Sequence, residues 1–112
     1  MRSTTREEVY SMVQSIGLPC EYYEFPENTK QSPPFVVWIF GTNNDVMADD
    51  ENYVDTEILA IELYTRYRDF QQEKAVEDIL KSNGFSYSKE ANYIESEIMW
   101  QIAYESEVII NG

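Results

Sequence analysis

Carboxylates are the side chains here with most chemistry to offer. Twenty-one Asp and Glu stand against eight Lys and Arg, giving a net charge of −13 with no histidine in 112 residues. Glu95 and Glu97, and again Glu105 and Glu107, are two residues apart, which on a strand puts each pair on one face at roughly 6–7 Å, a separation a glycosidase acid and base could use. That chemistry also needs a pocket that drives two pKa values apart, and neither neighbourhood supplies one. Both pairs read as a wet sheet face. The run from Thr42 to Asp55 holds Asn43, Asn44, Asp45, Asp49, Asp50, Glu51, Asn52 and Asp55 with no basic residue. An EF-hand counted from Asp45 fails at its third position, where Met47 stands. An irregular cation site on Asp49, Asp50 and Asp55 is the alternative to a solvated, self-repelling loop, and the loop is the simpler reading.

Other reaction centres find less support. Without imidazole no Ser-His-Asp triad forms, and the commonest metal ligand is missing. Cys20 stands alone, which excludes internal disulfides and four-cysteine zinc sites and suits a reducing compartment; it reads as an inert pocket filler after Leu18-Pro19. Gly17, Gly41, Gly84 and Gly112 are isolated, so no phosphate cradle is formed. Tyr22, Tyr23, Tyr64, Tyr67, Tyr87 and Tyr93 could stack bases, but a stacking platform needs a positive groove, and only Arg66 and Arg68 approach a basic pair. Sequence-specific nucleic-acid binding is not expected, nor is docking on anionic lipid. Met1-Arg2-Ser3-Thr4-Thr5-Arg6-Glu7-Glu8 enters an amphipathic pattern directly, and the longest apolar run, Phe35 to Phe40, falls far short of the roughly 20 residues of a membrane span, so a cytosolic product without membrane association is expected. The reading is of a protein that is not an enzyme and uses no cofactor or metal.

The elements that must position these residues follow from periodicity. Thr4 and Glu7 have capping-box spacing, and Val9, Met12, Val13 and Ile16 follow on one helical face, predicting a helix over 4–16. A short strand is expected at 21–25, a loop at 26–34, and a central strand covered on both faces at Phe35–Phe40. Leu59, Ile61, Leu63 and Tyr67 alternate with Glu62, Tyr64 and Arg66, predicting a strand over 57–67 with its odd-numbered side inward. Asp69 caps a second helix over 70–83 with Ala75, Val76, Ile79 and Leu80 as its buried stripe and Gly84 as its stop. A strand at 85–89 and a turn near 90–92 lead to a last strand from Tyr93 to about Ile110.

The order αβββαββ predicts one α+β domain over 1–112: an antiparallel β-sheet of four to five strands with two helices packed on one face. The outward sides of the 57–67 and 93–110 strands are neither fully wet nor fully dry. Tyr64, Arg66, Met99, Gln101 and Ala103 on those sides are therefore the candidate subunit-interface residues.

Asp55-Thr56-Glu57-Ile58-Leu59-Ala60-Ile61-Glu62-Leu63-Tyr64-Thr65, the stretch from Asp69 to Leu80, and Tyr93-Ile94-Glu95-Ser96-Glu97-Ile98-Met99-Trp100-Gln101-Ile102-Ala103-Tyr104-Glu105 together resemble small tail-completion or tail-terminator (head-tail joining) proteins of long-tailed phages and prophages of Gram-positive bacteria. The resemblance covers about residues 30–110 in layout. It implies a virion structural protein that assembles as a ring, a hexamer in the family, at the tail end or head-tail joint, contacting other phage head or tail proteins. It also implies a location in the bacterial cytoplasm during assembly and in the virion afterwards. An acidic lumen would let DNA pass without sticking, and Asp45, Asp49, Asp50, Glu51 and Asp55 are the candidate channel-lining acids. A small acidic adaptor or inhibitor binding a basic partner is the alternative reading.

Overall fold

Thr5 and Asp69 each start a helix by accepting a backbone amide at 3.1 Å, from Glu8 and Gln72 respectively. A computed structural model describes residues 2–24, 31–42 and 56–111. In chain order they form β1 (Arg2–Thr4), α1 (Arg6–Gln14), β2 (Cys20–Tyr22), β3 (Phe35–Thr42), β4 (Thr56–Thr65), α2 (Phe70–Ser82), β5 (Ser88–Ile94) and β6 (Met99–Ile110). Thr4-Glu7 and Thr5-Glu8 share the capping spacing, and the cap is Thr5 because Thr4 ends β1, with its side chain buried. At the far end of α2, Gly84 takes φ +81° and the amides of Phe85 and Gly84 reach back to the carbonyls of Leu80 and Lys81 at 2.9 and 3.0 Å, a Schellman closure.

The fold is α+β, and its sheet is mixed and six-stranded, not antiparallel with four or five strands. Strands run β2-β3-β4-β6, and the far edge of β6 is shared by β5 and β1. β3/β4, β4/β6 and β5/β6 are antiparallel, whereas β1/β6 and β2/β3 are parallel. The parallel pairs have one cause: α1 is a crossover that takes the chain from β1 to β2 without reversing its direction, from one edge of the sheet to the other.

On β6, Ser106 and Glu107 fall between the registers of β5 and β1. Ser106 Oγ donates to the Ser86 carbonyl there, and the Arg2 guanidinium lies 4.5 Å from the Phe85 ring centre. A shallow cleft of about 420 Å³ remains, lined by Arg2, Gly84, Ser86, Ser106 and Glu107.

Val9, Met12 and Val13 of α1 and Val76 and Leu80 of α2 belong to one buried cluster with Val36, Trp38, Leu59, Ile61, Leu63, Ile102, Tyr104 and Val108. Cross-strand pairing puts those strand residues on a single face, so both helices cover that face. The odd-numbered side of β4 is inward as periodicity predicts, but β4 stops at Thr65, leaving Tyr67 exposed beyond its end. Ala75 is exposed as well, and the buried stripe of α2 takes Glu73 in its place.

Glu73 is 1% exposed, and cations from two other segments meet on its carboxylate. Arg68, in the β4–α2 connection, donates from Nε and Nη2 at 2.9 and 3.0 Å, and Lys89 Nζ of β5 lies 2.9 Å from Oε1. Lys89 also reaches Glu77 Oε2 at 2.7 Å, and the Tyr104 hydroxyl of β6 donates to the same oxygen at 2.8 Å. Burial by itself pushes the Glu73 carboxyl up; hydrogen bonds and charge from Arg68 and Lys89 outweigh it and hold the group below its ordinary value. The network fastens α2 to the sheet through polar contacts that have no freedom to slide.

The last sequence element divides in two. Residues 95–98 form a turn between β5 and β6, with the Glu97 amide reaching the Ile94 carbonyl at 3.2 Å. No turn forms at 90–92, which lies within β5, and Glu95 and Glu97 sit in the turn and not on a strand face. The apolar alternation across 93–110 hides this break because Ile98 keeps the parity of Trp100 and Ile102 while adopting φ +52°. A β-branched side chain is strained in that region. Ile98→Asn is therefore expected to raise the unfolding free energy by about 1 kcal/mol, measurable as a higher urea midpoint at unchanged slope; a lower midpoint would show that Ile98 is held by packing.

Candidate subunit interface

The face away from the helices is built by the other alternating set of each strand. Across it run the cross-strand rows Phe35-Tyr64-Gln101-Asn92, Val37-Glu62-Ala103-Glu90 and Ile39-Ala60-Glu105-Ser88, followed by Gly41-Ile58-Glu107. The rows divide the face lengthwise. On β3 and β4 lie Phe35, Val37, Ile39, Ile58, Ala60 and Tyr64, a mainly apolar half in which Val37 and Ala60 are buried, the others are half-buried and Glu62 is the one carboxylate. On β5 and β6, Glu90, Glu105 and Glu107 are exposed and make the other half acidic. Among the described residues no helix covers this face.

Tyr64 holds the seam between the halves. Its ring stacks on Phe35 with centroids 4.8 Å apart and planes 17° from parallel. Its hydroxyl donates to Glu62 Oε1 at 2.9 Å and accepts from Gln101 Nε2 at 2.9 Å. Burial pushes the phenol up to about 12; the Gln101 hydrogen bond pulls the other way, and the charge and hydrogen bond of the Glu62 carboxylate add to the rise. A stacked ring whose polar tip is tied on both sides is a rigid, amphipathic surface group of the kind that anchors protein contacts at low entropy cost.

Of the residues expected to form an interface, Tyr64 and Gln101 are therefore a hydrogen-bonded cross-strand pair, Ala103 faces Glu62 in the next row, and Met99 shares the side at the start of β6. Arg66 is not with them: β4 ends at Thr65, so Arg66 is exposed in the bend that follows. The acids Asp45, Asp49, Asp50, Glu51 and Asp55, with the cation site considered for three of them, lie outside the described residues. Phe35, Val37 and Ile39 escape a parity reading because both alternating sets of β3 are apolar, and only the pairing with β4 assigns them to this side.

Cys20 is half-buried and accepts a hydrogen bond from Gln14 Nε2 at 3.4 Å; burial and then the neighbouring Glu21 charge push its thiol up, away from reactive thiolate. Among the described residues no group of three or more Cys, Asp or Glu gathers as a metal site, and no helix is long and apolar enough to cross a membrane. No protein-family model matches the sequence, and no curated protein matches it.

Proposed function

We propose that this chain is a structural assembly protein of a phage or prophage, a tail-completion or tail-terminator component that joins copies of itself at the head-tail joint and catalyses no reaction. The observation that carries the reading is the two-part outer face of the sheet: an apolar half on β3 and β4 suited to burial against another subunit, beside an acidic half on β5 and β6 suited to water. In a ring closed through the apolar half, Glu90, Glu105 and Glu107 stay hydrated and present like charge to passing DNA.

Ala103→Arg tests this directly. The new side chain lies between Glu62 and Glu90 in its row, at the border of the apolar half, so the monomer keeps its fold while an arginine paired with Glu62 lays a bulky cation against that half. Self-association, or decoration of purified tail-tube ends, is expected to weaken about tenfold or more, roughly 1.4 kcal/mol, as followed by sedimentation velocity and electron microscopy at matched concentration. A parent protein that stays monomeric at high concentration and also ignores tail tubes would refute the reading and favour the acidic adaptor; a monomer alone would not, since a ring can form on its template.

A further inference from the structure

At the end of the sheet where β4 finishes and β6 begins, four apolar side chains stand in water: Tyr67 at 70% exposure, Phe70 at 66%, Ile98 at 64% and Tyr93 at 46%. Seven large hydrophobic side chains are exposed among the described residues, and this one end holds four of them, which makes it a patch and not scatter. The patch is ordered from beneath. The Arg68 guanidinium lies 4.8 Å from the Phe70 ring centre and 5.3 Å from that of Trp100, and Trp100 meets Tyr93 edge-on at 5.3 Å. Arg68 is itself fixed by its two hydrogen bonds to buried Glu73. Tyr67 and Ile98 continue this end two residues beyond the last β4–β6 pair, Thr65 with Trp100.

We infer that this end is a docking surface for a basic polypeptide segment with apolar anchors, belonging to a different protein. The rim decides the charge of the occupant. Asp69, Glu95 and Glu97 border the patch, Arg68 is paired with Glu73, Lys74, one helical turn from Phe70, is paired with Asp78 at 3.0 Å, and Arg66 adds one more exposed cation, so the carboxylates outnumber the cations left to oppose them. Aromatic faces next to carboxylates suit Lys and Arg twice over, through the ring quadrupole and through ordinary attraction. Two copies meeting at this end would set Asp69, Glu95 and Glu97 against their own duplicates. The left-handed backbone of Ile98 also marks this end, because it holds an aliphatic side chain largely in solvent at a position where Asn would be less strained. Prior ordering of the ladder lowers the entropy lost when a partner docks. This surface is separate from the outer sheet face, so the inference stands without the ring reading.

The test uses the full-length protein and a short fluorescent peptide that alternates lysine with leucine and tryptophan, followed by anisotropy at physiological salt. Two control peptides replace the apolar residues by serine or the lysines by glutamate. The parent peptide is expected to bind, both controls to bind about tenfold more weakly or not at all, and the double variant Phe70→Ser/Ile98→Asn to lose about tenfold in affinity. That variant changes only exposed side chains and is expected to stay folded, as read by its urea midpoint. Tyr10→Ser, at the opposite edge of the sheet, is expected to bind like the parent. Equal binding of the lysine–serine peptide would show plain charge attraction and overturn the proposal, as would unchanged binding by the double variant. Concentration-dependent self-association that the double variant abolishes would also overturn it, because a second copy would then be the occupant.

Discussion

Glu73→Ala is expected to lower the unfolding free energy by about 3 kcal/mol. The change removes the one carboxylate on which Arg68 and Lys89 both converge, and it opens a hole in the buried stripe of α2. The figure belongs at the low end for a broken buried pair, since the side chains of Arg68 and Lys89 are 30% and 34% exposed and can turn toward water. Urea unfolding at neutral pH measures it, and a loss under about 1 kcal/mol would show the pair to be worth no more than an exposed one. Arg68→Met/Glu73→Met is expected to recover part of the loss, because Lys89 keeps Glu77 as a partner and two well-packed apolar chains replace the bidentate pair.

Alkali is expected to unfold the protein steeply, by about 1.4 kcal/mol per pH unit above pH 10 from Tyr104 alone. The phenol of Tyr104 is almost wholly buried, and its hydroxyl faces the carboxylate of Glu77; burial first, then that hydrogen bond and the charges of Glu77 and Glu73, push it far above its ordinary 10.0. The native state thus keeps a proton that the unfolded chain releases near pH 10. Stability from this residue is complete below that pH and drains away as pH rises. Tyr64, raised to about 12, adds to the fall between 10 and 12. Lys89 is also held above its ordinary 10.5, where hydrogen bonds and charge from Glu77 and Glu73 outweigh its own burial, so it contributes on the same limb. Glu73 acts oppositely: its lowered carboxyl lends stability above its ordinary 4.5, lost as pH drops through the lowered value. Urea midpoints between pH 7 and 12 should trace the alkaline limb, and Tyr104→Phe should flatten it at some cost in neutral stability; an unchanged limb would exclude Tyr104 as its source.

Period-two and period-3.6 patterns made β4 and α2 legible, and β3 was legible as an unbroken β-branched and aromatic run too short for a helix. β1 had no such signal: Arg2, Ser3 and Thr4 become a strand only because Val108, Ile109 and Ile110 lie beside them, a pairing no local pattern encodes. The mixed direction of the sheet follows from that same pairing. Glu73 shows a subtler failure. Its spacing to Val76 and Leu80 does place it on the buried stripe, but a carboxylate there reads as surface unless its cations are known, and Lys89 arrives from another strand. On the outer face, alternation picked out Met99, Gln101 and Ala103 with Tyr64, and it overran at Arg66 because nothing in the residue types marks the end of β4 at Thr65.

The arrangement of β6 bears on how the chain reaches its fold. β1 and β5 find their only ladder among the described residues on β6, and β4 has its second edge there. Until residues 99–110 have been synthesised, the earlier strands can assemble no further than β2, β3 and β4, with the greasy side of β4 half dressed. Residues 2–4 must then close onto 108–110 across nearly the whole sequence, a step that surrenders much chain entropy before it returns any contact. A nascent chain halted before that strand is a natural client for a chaperone.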